Sequence, residues 1–181
     1  HIHLNNNFTQ TYEIIESAIQ KKEKLWETFR TSYRDSFEGL IQRYEKHNIF
    51  SDVAEGQVEK TIYGCYPLHP VSTFILPRLS ERVAQNERTL FTFISAPGVS
   101  TLPTFLESYQ DDYFEVITPD LIYDYFEPLL KKEIYSGTIH ENYILTELIL
   151  EKLQTNSLES KIVKTLSLIY ILEQFEKLQP S

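Results

Sequence analysis

The chain has no methionine, one cysteine and only five glycines among its 181 residues. Lacking methionine even at position 1, it reads as a processed piece of a longer product. A lone Cys65 excludes an internal disulfide and fits a reducing, cytoplasmic setting. Between a glycine and the Tyr66-Pro67 pair, Cys65 reads as a small packing residue rather than a nucleophile. None of Gly39, Gly56, Gly64, Gly98 and Gly137 is followed by lysine, and no pair has the spacing Gly-x-x-x-x-Gly-Lys. The loop whose backbone N–H groups cradle phosphates is therefore missing, and with it the hydroxyl that holds magnesium. The chain alone is expected not to hydrolyse ATP. No run approaches the ~18 consecutive apolar residues of a membrane span, and no signal-peptide pattern opens the chain. Zinc spacing, a dinucleotide-binding glycine pattern and a Ser-His-Asp ordering are all absent. No catalytic residue, metal ligand or cofactor of the chain's own is assigned.

What is present points to a packed helical body. Hydrophobic residues make up 41 % and aromatics 13 %, enough for a core. The formal net charge of −9 disfavours a nucleic-acid grip, which rests on lysine and arginine neutralising phosphates. The expected fold is an all-α, multi-helix bundle. Residues 1–64 would supply N-terminal amphipathic helices and a connector, and residues 65–181 a helical bundle, either as two parts or as one continuous domain. His1-Ile2-His3-Leu4 alternates in polarity, as a short strand or extended arm would. Its His-x-His pair has no acidic or cysteine partner nearby and is a weak metal motif.

From Thr9 to Tyr44, apolar residues recur at steps of three and four and predict two helices, broken near Thr31-Ser32 or Gly39. Lys21 to Lys24 reads as a solvated charged face. Residues 47–64 look irregular, and Asp52, Glu55 and Glu59 lack a histidine or cysteine at ligand spacing. Thr104 to Tyr109 suits a short helix. Thr118-Pro119 marks a helix start, with Leu121, Ile122, Tyr125 and Phe126 facing inward and Pro128 ending or kinking it. Asp124, among tyrosines, reads as a hydrogen-bonded structural acid. Thr138-x-x-Glu141 has the form of a capping box. The helix it opens carries Ile144, Leu145, Leu148 and Ile149. A last helix starts at Asn156 or Ser157 and carries Leu158, Ile162, Leu166, Ile169, Leu172 and Phe175.

Unusual residue types and spacing coincide only between Cys65 and Ser95. Pro67 and Pro70 fix φ and lack donors, so a helix starts after them rather than running through. Val71, Phe74, Ile75, Leu79 and Val83 then mark one apolar helical face, which would end near Ala84. Asn86 suits a cap for a second helix beginning at Glu87. Arg88 falls in that helix's first turn, where the macrodipole disfavours a cation. It pairs there with a nearby acid such as Glu87 or Glu81, or it serves an anion. His69 reads as a partly buried ring bonded to a backbone carbonyl.

Tyr66-Pro67-x-His69-Pro70, a helix, and Asn86-x-Arg88-Thr89 resemble the helical lid of AAA-type P-loop ATPases. The closer likeness is to large prokaryotic ATP-binding proteins of phage-defence and restriction-like gene clusters. Thr118 to Phe126 and Lys161 to Leu166 are also similar to those proteins, so the likeness covers about the last two-thirds of the chain. The resemblance implies that Arg88 is a nucleotide-sensing residue of the sensor-2 type. Tyr66, Pro67, His69, Pro70 and Asn86 would support it. ATP and magnesium would then bind in a parent protein, whose nucleotide-binding core is the implied partner. The alternative is a stand-alone acidic interaction domain, docking a partner through Tyr123, Tyr125 and Phe126. Its mark would be a large exposed apolar patch.

Overall fold

The structure, a computed structural model, describes residues 8–54, 56–84, 87–110, 112–133, 137–173 and 178. Ten α-helices and no sheet occur among them, so the all-α expectation holds. The arm expected at His1–Leu4 lies outside the described residues. Helices α1 (Thr9–Ala18), α2 (Glu23–Ser32) and α3 (Arg34–Lys46) occupy the first periodic stretch. The break at Tyr33 follows Thr31-Ser32 as expected, Gly39 lies inside α3, and a second break at 19–22 is unexpected. The apolar rhythm runs across that second break, so periodicity alone does not reveal it. Residues 58–64, expected to be irregular, form α4 (Val58–Gly64). At seven residues it is too short for its own periodic signal, and packing against α1 and α3 sustains it.

The long helical element starts at Pro70 as α5 (Pro70–Leu79) and continues as a π-helical turn, Ser80–Ala84. Pro77 lies inside α5 and removes one backbone donor there. Burial explains why the helix survives: Phe74, Ile75, Leu76 and Leu79 are fully enclosed. Helix α6 (Glu87–Ser95) follows, as expected. Next come α7 (Leu102–Glu107) and α8 (Pro119–Lys131), which runs through Pro128 rather than ending there. Helix α9 (Thr138–Leu150) begins differently from the expected capping box. Gly137 is the cap residue, Thr138 is already helical, and no side chain bonds the first turn. Helix α10 (Leu158–Leu172) has the expected cap, with Ser157 Oγ accepting from Ser160 N at 3.2 Å. Phe175 lies outside the described residues.

One apolar core runs from Tyr12 and Ile15 through Phe74 and Leu79 to Phe126 and Leu168. Arg78 ties its N-terminal part together. The guanidinium donates to Tyr12 Oη at 2.6 Å, to the Phe74 carbonyl at 2.9 Å and to Asp52 Oδ2 at 3.0 Å. It also lies over the rings of Phe8 and Phe74. No described helix is long and apolar enough to cross a membrane.

Candidate functional site

Four of the residues singled out from sequence meet in one corner. Pro67 O accepts from Ile117 N at 2.8 Å, and His69 N donates to Ile117 O at 3.1 Å. Ser72 Oγ donates to the same carbonyl at 2.7 Å. Tyr66 Oη donates to Glu115 O at 2.7 Å and lies 2.6 Å from Tyr109 Oη. Pro70 occupies the first turn of α5, where its missing N–H leaves nothing unbonded. The Tyr-Pro-x-His-Pro pattern thus clamps the 115–117 segment to the start of α5. The Tyr66 hydroxyl, the Pro67 carbonyl and the His69 N–H and Nδ1 are all bonded within the chain itself.

His69 acts as the cap of α5, accepting from Val71 N through Nδ1 at 3.1 Å. This corrects the expected bond to a carbonyl. A proline at the next position removes one first-turn donor, and the ring nitrogen satisfies the following one. Burial, followed by the charge of Arg43, pushes the imidazole down to about 4. The unfolded chain, titrating near 6.5, therefore takes up the proton first. This contribution to stability is present above pH 6.5 and is lost as pH falls toward 4. Urea unfolding at pH 7 and pH 4.5 should show the wild type losing more stability than His69→Asn, which retains a capping oxygen without a titrating ring. Equal losses would remove His69 from the acid response.

Cys65 is fully buried, and its thiol lies 3.7 Å from the Tyr12 carbonyl. Burial pushes the thiol up to about 12, so at pH 8 it is neutral and unreactive. A disulfide reagent should label Cys65 in urea but leave the native chain unlabelled over the same minutes. Rapid native labelling would contradict the packing role.

Arg88 stands apart from the corner. The helical run from Pro70 to Ala84 lies between them in the chain. Arg88 is exposed in the first turn of α6, and no ion pair joins it to a described acid, Glu81 and Glu87 included. Asn86, its expected cap, lies outside the described residues. Asp124 pairs with Lys164 at 2.7 Å, as a structural acid should. No cluster of three potential metal ligands occurs among the described residues.

The aromatic trio expected to meet a partner is mostly core. Tyr123 and Phe126 are fully enclosed, and Tyr125 donates to Thr89 O at 2.8 Å from a half-buried position. Most of the exposed large apolar side chains lie instead on α9 and α10. Helix α9 buries His140, Tyr143 and Thr146, whereas α10 buries Leu168, Ile171 and Leu172 beside Ser160 and Ser167. Between α8, α9 and α10 run polar contacts. Tyr143 Oη donates to Glu127 at 2.6 Å, and Tyr123 Oη donates to Glu147 at 2.8 Å. Ser167 Oγ donates to Asn142 Oδ1 at 2.6 Å and sits 2.8 Å from Thr146 Oγ1. Away from the body α9 and α10 turn Ile144, Leu145, Leu148 and Ile149, with Leu158, Ile162, Leu166 and Tyr170. Each of these eight is between 39 % and 70 % exposed. At about half exposure these eight side chains together leave on the order of 700 Å2 open to solvent.

Comparison with family models, with curated proteins and with solved structures finds no match.

Proposed function

We propose that this chain is a non-catalytic helical docking module, working through the outer face of α9 and α10. The apolar outer face of the two helices carries the reading, and α9 adds to it by turning its hydrogen-bonding side chains inward. Helices that present leucine and isoleucine outward in this way are shaped to be covered. The occupant we assign is an apolar surface on the nucleotide-binding core of a larger ATP-binding protein, as the lid-like motifs imply. Docked there, the module would convert a change in nucleotide state into a rigid-body movement. The decisive experiment replaces outer-face leucines in the full-length parent.

A second reading concerns Arg88, which would sense nucleotide in that parent. Its exposed first-turn position, without a described acidic partner, favours it. An arginine that closes onto a phosphate stabilises charge only in a water-poor site, so the isolated chain should show no effect of it. Arg88→Ala in the full-length parent should lower ATP turnover at least tenfold while leaving nucleotide binding largely intact. Unchanged turnover would leave the docking role standing and remove the sensor.

A further inference from the structure

Helix α2 has an apolar face, Leu25, Trp26 and Phe29, yet none of its residues is buried. That face borders a groove of about 700 Å3, which Tyr66, Leu106 and Tyr109 also line. The volume lies within the ~300–1,000 Å3 of small-molecule sites. Its walls are rings. Phe29 lies 5.3 Å from Tyr66 and 6.4 Å from Tyr109 between centroids, and Trp26 lies 5.7 Å from Tyr66. The hydroxyls of Tyr66 and Tyr109 are already bonded within the corner, so these two side chains offer the groove ring surface rather than polar groups.

The charge at one end opposes that of the whole chain. Lys21 and Lys22 line it in a protein of net charge −9, and among the described residues Asp112 is the one acid lining the groove. Lys21, expected among solvated charges, is instead half-buried. Its ammonium donates to the Gly64 carbonyl at 2.5 Å and lies 5.1 Å from the Trp26 ring centroid. An ammonium has three donors, and one carbonyl does not exhaust them, although the Glu16 carboxylate stands near enough to favour the charged form. Burial pushes its pKa down to about 8, so an anion beside it would regain energy that desolvation has cost.

We propose that this groove binds a small aromatic anion, its flat ring against Trp26, Phe29 and Tyr109 and its carboxylate or sulfonate on Lys21 and Lys22. Ring faces favour stacking of a planar ligand, and the two lysines supply the preference for an acid over its neutral counterpart. The site is independent of the α9–α10 face and of any parent protein.

Trp26 is the only tryptophan, and it borders both this groove and the neighbouring one lined by Arg30 and Lys60, so Lys22, which lines only the first, separates the two. The chain would be titrated calorimetrically with 2-naphthoate, 2-naphthamide and octanoate, with Trp26 emission followed in parallel. The expected result is one saturable naphthoate site that shifts Trp26 emission and binds at least tenfold tighter than either comparator. Lys21→Gln should bring naphthoate to the level of the amide without weakening the amide. Lys22→Gln, at an exposed position, should act in the same direction and guards against a folding defect in the first variant. Equal affinity for acid and amide would overturn the lysine role, and octanoate binding as tightly as naphthoate would overturn the aromatic class. Heat without a change in Trp26 emission would place binding elsewhere and overturn the site.

Discussion

Replacing Arg78 with methionine should destabilise the fold by about 3–5 kcal/mol, the cost of leaving a buried charge without its partner. The Arg78 and Asp52 side chains are 10 % and 18 % exposed, so neither recovers much hydration when the other is removed. Asp52 Oδ1 already has no hydrogen-bond partner, which leaves Oδ2 and the guanidinium as the carboxylate's compensation. Methionine retains apolar bulk between Phe8 and Phe74, so the loss reflects charge and hydrogen bonds more than a cavity. Against a typical total of ~5–15 kcal/mol, this is a large fraction of the stability. Asp52→Asn in the Arg78→Met background should recover part of it, because the stranded charge is then gone. Urea unfolding of both single variants and the double closes the cycle. A coupling energy near zero would mean that Arg78 acts by packing alone and that Asp52 is held by other contacts, such as that of Thr9 Oγ1 with its carbonyl.

Arg78 also marks what a single sequence conceals. Nothing in Pro77-Arg78-Leu79 shows that the guanidinium turns inward, because its partners Tyr12 and Asp52 are 66 and 26 residues away. Local signals fared better. Thr118-Pro119 and Ser157 start helices, Tyr66 to Pro70 forms a built corner, and a new helix opens at Glu87. Each rests on the chemistry of a few neighbouring residues. Long-range burial is less legible, since apolar periodicity reports that a face exists but not what it meets. Leu121, Ile122, Tyr125 and Phe126 mark a face that packs inward, whereas Ile144, Leu145, Leu148 and Ile149 mark one that points out. The distinguishing signal lay in the other face of α9. There Asn142, Tyr143, Thr146 and Glu147 all find partners on α8 or α10. Polar residues that alternate with an apolar stripe read as solvated until those partners are known.

That outward stripe supports the second large effect. Leu145→Lys with Leu148→Gln should leave the isolated chain's stability within about 0.5 kcal/mol per site, since both positions are more than half exposed. Both replacements are good helix formers, and the introduced lysine would stand one turn after Glu141, a favourable spacing. In the larger ATP-binding protein proposed above, the same pair should undock the module. Two central apolar anchors at roughly 2 kcal/mol each would weaken docking on the order of a thousandfold if they add. The readout is the thermal unfolding profile, in which a docked module melts with its core and an undocked one melts separately. ATP turnover measured beside it separates docking from sensing: an Arg88 variant should lower turnover with a single joint transition, whereas the leucine pair should lower turnover and split the transition. A joint transition that survives both leucine replacements would show that this face is not the contact. The apolar outer face of α9 and α10 would then need a different occupant, with self-association of the isolated chain the first thing to measure.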